Sequence, residues 1–383
     1  MGFLQNWRAF RAFANIPRAK RNIVFYSEGP AYWAHLRPVI KHLTHDHNRR
    51  IIYVTSDPQD PGYTEENAKI QGYAIGSGLI RAMWFQMLDA DMLVMTMPDL
   101  GARGIKKSKF PIHYTYLFHS IVSTHMIYRT GAFDHYDSIL CVGPHHKTEI
   151  RETEKKYGLP QKELVPHGYG RLDEILAERP RKTDTLSTPE QPLILIAPSW
   201  GPNGVIETGL VEPLIDALLT TKYQVMLRPH PETLKRAKNR YAATVKRFSP
   251  HPNFMSEQDV DSKTSLQNAA LMVSDWSGAA FEFAFGYEKP VLFIDSPRKL
   301  NNPEFDTYST PPIEDFLRSQ IGTLLAPTDI SEINHVVTEL IETSNAKTAQ
   351  IRQLRKHYVH HVGKSGQIAA KWIAERSESL KPK

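Results

Sequence analysis

Short runs of aliphatic and aromatic residues alternate with longer amphipathic stretches from residue 22 onward. Apolar runs of four or five residues predict buried strands, and apolar positions spaced three and four apart predict helices. In the first half the predicted strands are 23–26, 51–54, 92–95, 112–118, 138–142 and 164–165, with helices near 31–45, 79–89 and 145–157. This alternation predicts a parallel sheet covered by helices on both faces.

The same alternation restarts in the second half, where the predicted strands are 193–196, 224–227, 271–273 and 291–294. A stretch rich in proline, threonine and charge separates the halves, so we predict a linker over 179–192 between domains at 22–178 and 193–350. Residues 351–383 are predicted to form C-terminal helices. The expected fold class is α/β with two Rossmann-like domains, whose ligand-binding strand ends face each other across a cleft.

The first 21 residues have a different pattern. Apolar side chains recur at Phe3, Trp7, Phe10 and Ala14, and arginines fall largely between them. A helix with an aromatic face and a cationic face is typical of attachment to an anionic membrane surface. A terminal helix packed on its own domain is the alternative. Because arginines interrupt the segment and an apolar core is missing, it is not a secretory signal.

Composition narrows the function classes. A chain of 383 residues exceeds what one hydrophobic core usually supports, which agrees with two domains. Five of the six net positive charges come from residues 1–21, so the nearly neutral remainder argues against nucleic-acid binding. Cys141 is the single cysteine and lies in an apolar run, so we expect a buried core residue in a protein of a reducing compartment.

Polar clusters follow three predicted strands of the second half. Ser199 lies in a turn after 193–196, and Arg228 and His230 alternate with prolines after 224–227. Prolines stiffen the backbone there, and a guanidinium beside an imidazole suits a diphosphate and the charge of its leaving group. We therefore expect Arg228 in donor binding and His230 in catalysis.

The third cluster, Ser274-Asp275-Trp276-Ser277-Gly278, follows the strand 271–273. Ser277 is a favourable N-cap, and the small residues after it let a ligand approach the backbone. The N–H groups of a first helical turn bind anions. Glu282, about one turn further on, could accept hydrogen bonds from ribose hydroxyls. Ser274, Asp275, Ser277, Gly278 and Glu282 are the predicted donor-binding residues here.

Two candidates come from the first half. His119 follows the strand 112–118 and could take a proton from an attacking hydroxyl. Arg171 follows a glycine-rich turn and could either pair with Asp173 or meet a phosphate. The histidine spacing offers no metal-binding motif of the HExxH type, so we expect no metal cofactor, although loosely held Mg²⁺ stays open.

In this order the motifs resemble the CDP-glycerol glycerophosphotransferase family of teichoic-acid and capsule synthesis, over residues from about 119 to about 306. Arg228 to Pro231 is similar to the family's Arg-Pro-His-Pro motif. Also similar are Ser274 to Ser277 with Phe281-Glu282 and Lys289 to Phe293, Gly168 to Asp173, and Ala197 to Ser199. The chain departs from the family pattern at Trp276, Gly278, Ser120 and Gly170, where the family has Tyr, Ser, Gly and Pro.

The resemblance implies a GT-B type, membrane-peripheral transferase on the cytoplasmic face of the cell membrane. It would move an alditol phosphate, most simply glycerol phosphate, from a CDP-activated donor to a hydroxyl of a lipid-linked or glycan acceptor and release CMP. His119 would be the general base. Two alternatives stay open: a GT-B glycosyltransferase that uses a nucleotide sugar, and a non-catalytic membrane-bound scaffold with a vestigial nucleotide site.

Overall fold

The computed structural model describes residues 2–102, 105–179, 191–257 and 263–380, and it confirms the α/β fold class with two parallel sheets. Residues 180–190, most of the predicted linker, lie outside the described residues. The described strands are β1 (Ile23–Ser27), β2 (Ile51–Thr55), β3 (Ile70–Ala74), β4 (Met92–Met95), β5 (His113–Leu117), β6 (Ser138–Cys141), β7 (Glu163–Pro166), β8 (Leu193–Ile196), β9 (Gln224–Leu227), β10 (Phe254–Ser256), β11 (Ala269–Ser274), β12 (Val291–Ile294) and β13 (Gly322–Leu325).

Helices connect and cover these strands. In the described residues they are α1 (Phe3–Ala14), α2 (Trp33–His45), α3 (Pro61–Thr64), α4 (Leu79–Met87), α5 (Thr124–Ile127), α6 (Pro144–Tyr157), α7 (Gly170–Glu178), α8 (Val205–Thr208), α9 (Val211–Leu219), α10 (Pro231–Arg236), α11 (Lys238–Phe248), α12 (Thr264–Asn268), α13 (Gly278–Tyr287), α14 (Ile313–Ile321), α15 (Ile333–Glu342), α16 (Ser344–Tyr358) and α17 (Ser365–Ser379). The helices α10 and α11 meet at Ala237, whose backbone conformation is not helical.

The chain divides into two compact units. The first contains Met1–Glu174, Glu304–Thr310 and Tyr358–Lys383, and the second contains Ile175–Pro303 and Pro311–His357. The C-terminal helix α17 therefore belongs to the first unit, although it is far from that unit in sequence.

The sheet of the first unit has the strand order β3-β2-β1-β4-β5-β6-β7, with parallel neighbours throughout. Its central strand β1 is buried along its whole length. On one face α2 packs against α17, and Leu36 and Ile40 of α2 share a core with Ala370 and Ile373 of α17. The small residues of α17 let the two helices approach closely, so the C-terminus covers a face of the N-terminal sheet.

The sheet of the second unit has the order β10-β9-β8-β11-β12-β13, again with parallel neighbours. Its core lies between the sheet and helices such as α9 and α15. The strand order reverses between β8 and β11, which makes this pair the topological switch point. In open α/β sheets, ligands bind outside the carboxyl ends of the strands at such a point.

Helix α1 is fixed to the first unit through its C-terminal half. The Phe13 ring is buried and makes edge contacts with Tyr73 and Trp84, at 5.8 and 5.5 Å between ring centroids. The side chains of Phe3 and Leu4, at the other end, are 63% and 70% exposed. Helix α1 is therefore packed against its own unit at its C-terminal end and has exposed apolar side chains at its N-terminal end.

No described helix is both long enough and apolar enough to cross a membrane. Cys141 is fully buried in β6, and burial raises the pKa of its thiol.

Candidate active site

The candidate site of the second unit is organised by a hydrogen bond at the switch point. The backbone N–H of Ser199, after β8, donates to Oδ1 of Asp275, after β11, at 2.6 Å. One residue earlier, Oγ of Ser274 donates to the carbonyl oxygen of Ala197 at 2.8 Å. These two bonds bring the predicted residues Ser199, Ser274 and Asp275 together.

The Asp275 carboxyl is almost completely buried. Its Oδ2 has no hydrogen-bond partner in the part of the chain that the structure describes. Burial therefore raises the pKa of Asp275, although the hydrogen bond from Ser199 opposes the shift. The Asp275 carboxyl is thus an interior group that supports this strand end through its hydrogen bond with Ser199.

Helix α13 begins directly after this carboxyl. Ser277 adopts an extended backbone conformation, and its Oγ accepts a hydrogen bond from the N–H of Ala279 at 3.3 Å, as expected of an N-cap. Gly278 is the first helical residue, and Glu282 lies one turn further on with a half-buried side chain. The predicted order of capping residue, small residues and carboxylate is present around the positive end of the helix dipole.

Trp276 has a packing role. Its Nε1–H donates to the carbonyl oxygen of Ser296 at 2.8 Å, and the guanidinium of Arg318 lies 3.8 Å from the ring centroid. Arg318 is itself 2% exposed and pairs with Asp295 at 2.8 Å. The indole thus joins β12 and α14 to the start of α13, which gives the departure from the family's tyrosine a structural reason.

Arg228 has partners within the protein that the sequence did not predict. Its Nη1 lies 2.9 Å from Oε2 of Glu257 and 3.0 Å from Oγ of Ser265. A guanidinium with a carboxylate at this distance has much of its charge compensated within the protein. Arg228 therefore stands at the expected strand end, but with a counter-ion of its own.

His230 is the N-cap of α10. Its Nδ1 accepts a hydrogen bond from the backbone N–H of Glu232 at 3.1 Å, so the proton of the neutral ring is on Nε2. Burial, with a contribution from the charge of Lys299, lowers the pKa of His230 to about 3. At neutral pH this residue is a hydrogen-bond donor through Nε2 rather than a cation.

Two further side chains, Trp200 and Lys299, lie near His230, and the sequence did not predict them as site residues. The Trp200 ring lies 6.1 Å from that of His230 between centroids, and Nζ of Lys299 lies 4.8 Å from the Trp200 centroid. In the sequence, the one indication of a role for Trp200 is its position directly after the predicted site residue Ser199. Lys299 lies in an irregular segment after β12 with no motif around it.

His119 belongs to the first unit, at the end of β5, in a cage of tyrosines. Its Nδ1 lies 3.4 Å from the hydroxyl of Tyr116, and the hydroxyl of Tyr169 donates to its backbone oxygen at 3.0 Å. Tyr32 makes an edge contact at 5.4 Å between ring centroids. The ring keeps some exposed surface, yet the dense surroundings lower the pKa of His119 to about 4. Its imidazole is neutral at pH 7, the form that a general base requires.

Helix α6 holds the segment that follows His119. Nε2 of His145 lies 2.8 Å from the carbonyl oxygen of Ile121, and Nε2 of His146 lies 2.9 Å from that of Val122. The buried Glu149 accepts hydrogen bonds from the N–H and the hydroxyl of Thr124, at 2.6 and 2.7 Å. These histidines are structural.

Arg171 also belongs to the first unit, in the first turn of α7. Asp173, one of its two expected partners, accepts hydrogen bonds from the N–H groups of Gly363 and Ser365 at 2.6 and 2.7 Å. Asp173 thereby fixes the start of α17. The positive charge of Arg171 helps to lower the pKa of the buried His35.

Within the described residues, no group of three or more His, Cys, Asp or Glu side chains is placed to hold a metal ion.

The model of the CDP-glycerol:poly(glycerophosphate) glycerophosphotransferase family matches residues 9–361. Among solved structures, the wall teichoic acid polymerase TagF, in a crystal soaked with CDPG, is similar with a TM-score of 0.53 and 13% identity, over 99% of this chain and 95% of that one. No curated protein matches the chain.

Two nucleotide-sugar proteins are similar as well. The UDP-GlcNAc 2-epimerase of Methanocaldococcus jannaschii, in complex with UDP-GlcNAc and UDP, has a TM-score of 0.55 and 13% identity over 92% of this chain and 99% of that one. Anabaena HepE, in complex with UDP and glucose, has a TM-score of 0.54 and 13% identity over 94% of this chain and 100% of that one. At these identities the likeness concerns the fold.

Replacing Asp275 with Asn should separate the charge of this side chain from its hydrogen bond. Because the pKa of Asp275 is raised in the folded protein, its stabilising contribution is full at low pH and is lost as the pH rises through the raised pKa. Asn keeps an acceptor for the Ser199 N–H and has no such dependence. The melting temperature of D275N relative to the wild type should therefore rise as the pH is increased from about 4 towards neutral.

The matched control is Asp275→Ala, which leaves the buried Ser199 N–H without its acceptor and should cost about 1–3 kcal/mol. Thermal unfolding of both variants across this pH range measures the difference. A D275N variant that loses stability relative to the wild type as the pH rises would contradict the assignment.

Proposed function

The chain belongs to the CDP-glycerol:poly(glycerophosphate) glycerophosphotransferase family and is a transferase of that type, and we propose that it moves glycerol phosphate from CDP-glycerol to a hydroxyl of a polymeric acceptor. The observation that carries the proposal is the family match over 9–361 together with the switch-point site that contains the family's motifs. A lipid-linked acceptor of teichoic-acid or capsule synthesis is the substrate class we favour.

The reaction proposed is an in-line displacement at phosphorus. The acceptor oxygen bonds to the phosphorus that carries glycerol, and the bond from this phosphorus to the bridging oxygen breaks. CMP leaves with the bridging oxygen and its electron pair, and the hydroxyl proton passes to a base. Negative charge therefore grows on the phosphate of CMP as it leaves.

The residues of the second unit suit this change in charge. The N-terminus of α13 at Ser277 and Gly278 offers the positive end of a helix dipole, and the neutral His230 offers Nε2–H as a donor. In this proposal Glu282 accepts hydrogen bonds from donor hydroxyls, and the buried Asp275 contributes to the donor site by holding Ser199 in position. No step requires a resident metal.

The donor and the bond that breaks can be tested together. Purified protein should be stabilised by CDP-glycerol more than by CDP-ribitol, UDP-sugars or GDP-sugars in thermal unfolding, because a ligand that binds the native state raises its stability. With an acceptor polymer present, the product should be CMP, measured by chromatography. Selective stabilisation by a UDP- or GDP-sugar with release of a nucleoside diphosphate would instead identify a glycosyltransferase, and no turnover with any donor would favour the scaffold.

We propose His119 as the general base. Because the pKa of His119 is lowered to about 4, its neutral form should persist through pH 5, and kcat/KM should fall only at lower pH rather than near the usual histidine value of about 6.5. His119→Ala should lower kcat by roughly 100-fold or more with little change in donor affinity. His135→Ala, at an exposed position of the same unit, is the control. A loss of donor binding in H119A would assign His119 a different role.

We also propose that α1 attaches the protein to the anionic cytoplasmic face of the membrane. Phe3 and Leu4 are exposed, and so are Arg8 and Arg11 on the same helix. Leu79, 69% exposed, begins α4, which packs against α1. Apolar and cationic side chains on one surface are what peripheral attachment requires.

Charge placed on this apolar end should abolish attachment. The double variant Phe3→Glu, Leu4→Glu should reduce co-sedimentation with phosphatidylglycerol vesicles by about tenfold, since it removes buried apolar area and adds repulsion. Gln5→Glu, at an exposed neighbouring position, should have a smaller effect. Equal sedimentation of the double variant and the wild type would refute the membrane role of α1. These substitutions leave the buried Phe13 contacts intact, unlike a deletion of the helix.

A further inference from the structure

Lys299 has a charge that the described protein does not compensate by direct contact. Its side chain is half-buried, and its Nζ lies 4.8 Å from the centroid of the Trp200 ring. In the described ranges this ammonium makes neither a hydrogen bond nor an ion pair. An ammonium group has three donors, and removing it from water is costly unless an acceptor replaces the water.

The charged groups around Lys299 place it within the candidate site. The carboxyls of Asp275, Glu207 and Glu232 act on it electrostatically, without forming an ion pair. Its own charge acts on His230, whose ring lies 6.1 Å from Trp200. Burial lowers the pKa of Lys299, which agrees with a desolvated and uncompensated ammonium.

Other cations at this edge of the second sheet already have partners. Arg228 pairs with Glu257 at 2.9 Å, and Arg236, which also lies over Trp200, pairs with Glu232 at 2.8 Å. Lys235 pairs with Glu232 at 2.8 Å as well, and its side chain is 70% exposed. Lys299 therefore differs from its neighbours in having its charge available to an anion.

We propose that the ammonium of Lys299 binds the diphosphate of the donor nucleotide, with the face of Trp200 holding it in position. This assignment rests on the proposed function, since it supplies a residue for the donor site of that reaction. A cation against an aromatic face has a favourable electrostatic contact with the ring. This contact stabilises the ammonium of Lys299 in the unliganded protein, where it has no counter-ion. The ligand class is a nucleoside diphosphate, and the contact is made with its phosphates rather than its base.

The experiment compares Lys299→Met with Lys235→Met by calorimetric titration with cytidine, CMP and CDP. Methionine keeps an unbranched chain against Trp200 and removes the charge. K299M should weaken the binding of CDP roughly 10- to 100-fold, as expected for a lost charge-assisted hydrogen bond, with a smaller effect on CMP and none on cytidine. K235M should change each affinity by less than about twofold. Lys299→Arg should restore most of the CDP affinity because the charge returns.

A thermal melt without nucleotide separates binding from a structural role. K299M removes an uncompensated, partly desolvated charge, so its melting temperature should equal or exceed that of the wild type. A lower melting temperature combined with unchanged CDP affinity would make Lys299 a structural residue and overturn the proposal. If K299M does not fold, equal CDP affinity in the wild type and in Lys299→Gln would overturn it.

The titrations also distinguish a wrong donor nucleotide from a wrong role for Lys299. If the wild type binds UDP or GDP in preference to CDP, the titrations are repeated with that nucleotide and its monophosphate. If the loss of nucleotide affinity in K299M then grows with the number of phosphates, Lys299 binds phosphate as proposed, but the donor is not CDP-glycerol. Equal affinity of K299M and the wild type for the preferred diphosphate overturns the role of Lys299 and leaves the donor assignment intact. A wild type that binds no nucleoside diphosphate overturns both.

Discussion

The hydrogen bond from the Ser199 N–H to the Asp275 carboxyl, at 2.6 Å, holds together the two strand ends from which the candidate site is built. It lies at the switch point between β8 and β11, the position at which open α/β sheets generally bind their ligands. The N-terminus of α13, the Trp200 ring and the start of α10 are all positioned relative to these two ends. Burying this carboxyl costs stability at neutral pH, and the hydrogen bond from Ser199 offsets part of that cost.

Charge in this site is distributed differently from what the motifs alone suggest. His230 is neutral because burial lowers its pKa to about 3, and Arg228 shares its charge with Glu257. In the proposed donor site, the positive potential for a diphosphate would then come from the α13 dipole and from a cation without a counter-ion. Lys299 meets that condition, and a neutral His230 beside it can donate a hydrogen bond without adding charge that would repel Lys299.

The sequence predicted the fold class and the buried strands well, because long apolar runs such as Leu193 to Ile196 have few alternatives. It missed β3, β10 and β13, which form three of the four sheet edges, where half-exposed and glycine-containing strands lack a continuous apolar run. The polar motifs were correctly predicted to lie at strand ends, and the roles of their residues stay predictions. The sequence did not predict the position of Lys299, the pairing of Arg228 with Glu257 or the contact of Asp173 with α17, since each depends on contacts distant in sequence.

In the first unit, Ser120 stands where the family has a glycine after the histidine, and helix α6 supports the segment that follows. The side chains of His145, His146 and Glu149 form hydrogen bonds with the backbone at positions 121, 122 and 124, and these bonds fix the path of the segment. The tyrosine cage then holds His119 neutral. In the proposed displacement, a weak base that is deprotonated above about pH 5 would accept the hydroxyl proton, and electrostatic stabilisation of the leaving CMP would lower most of the barrier.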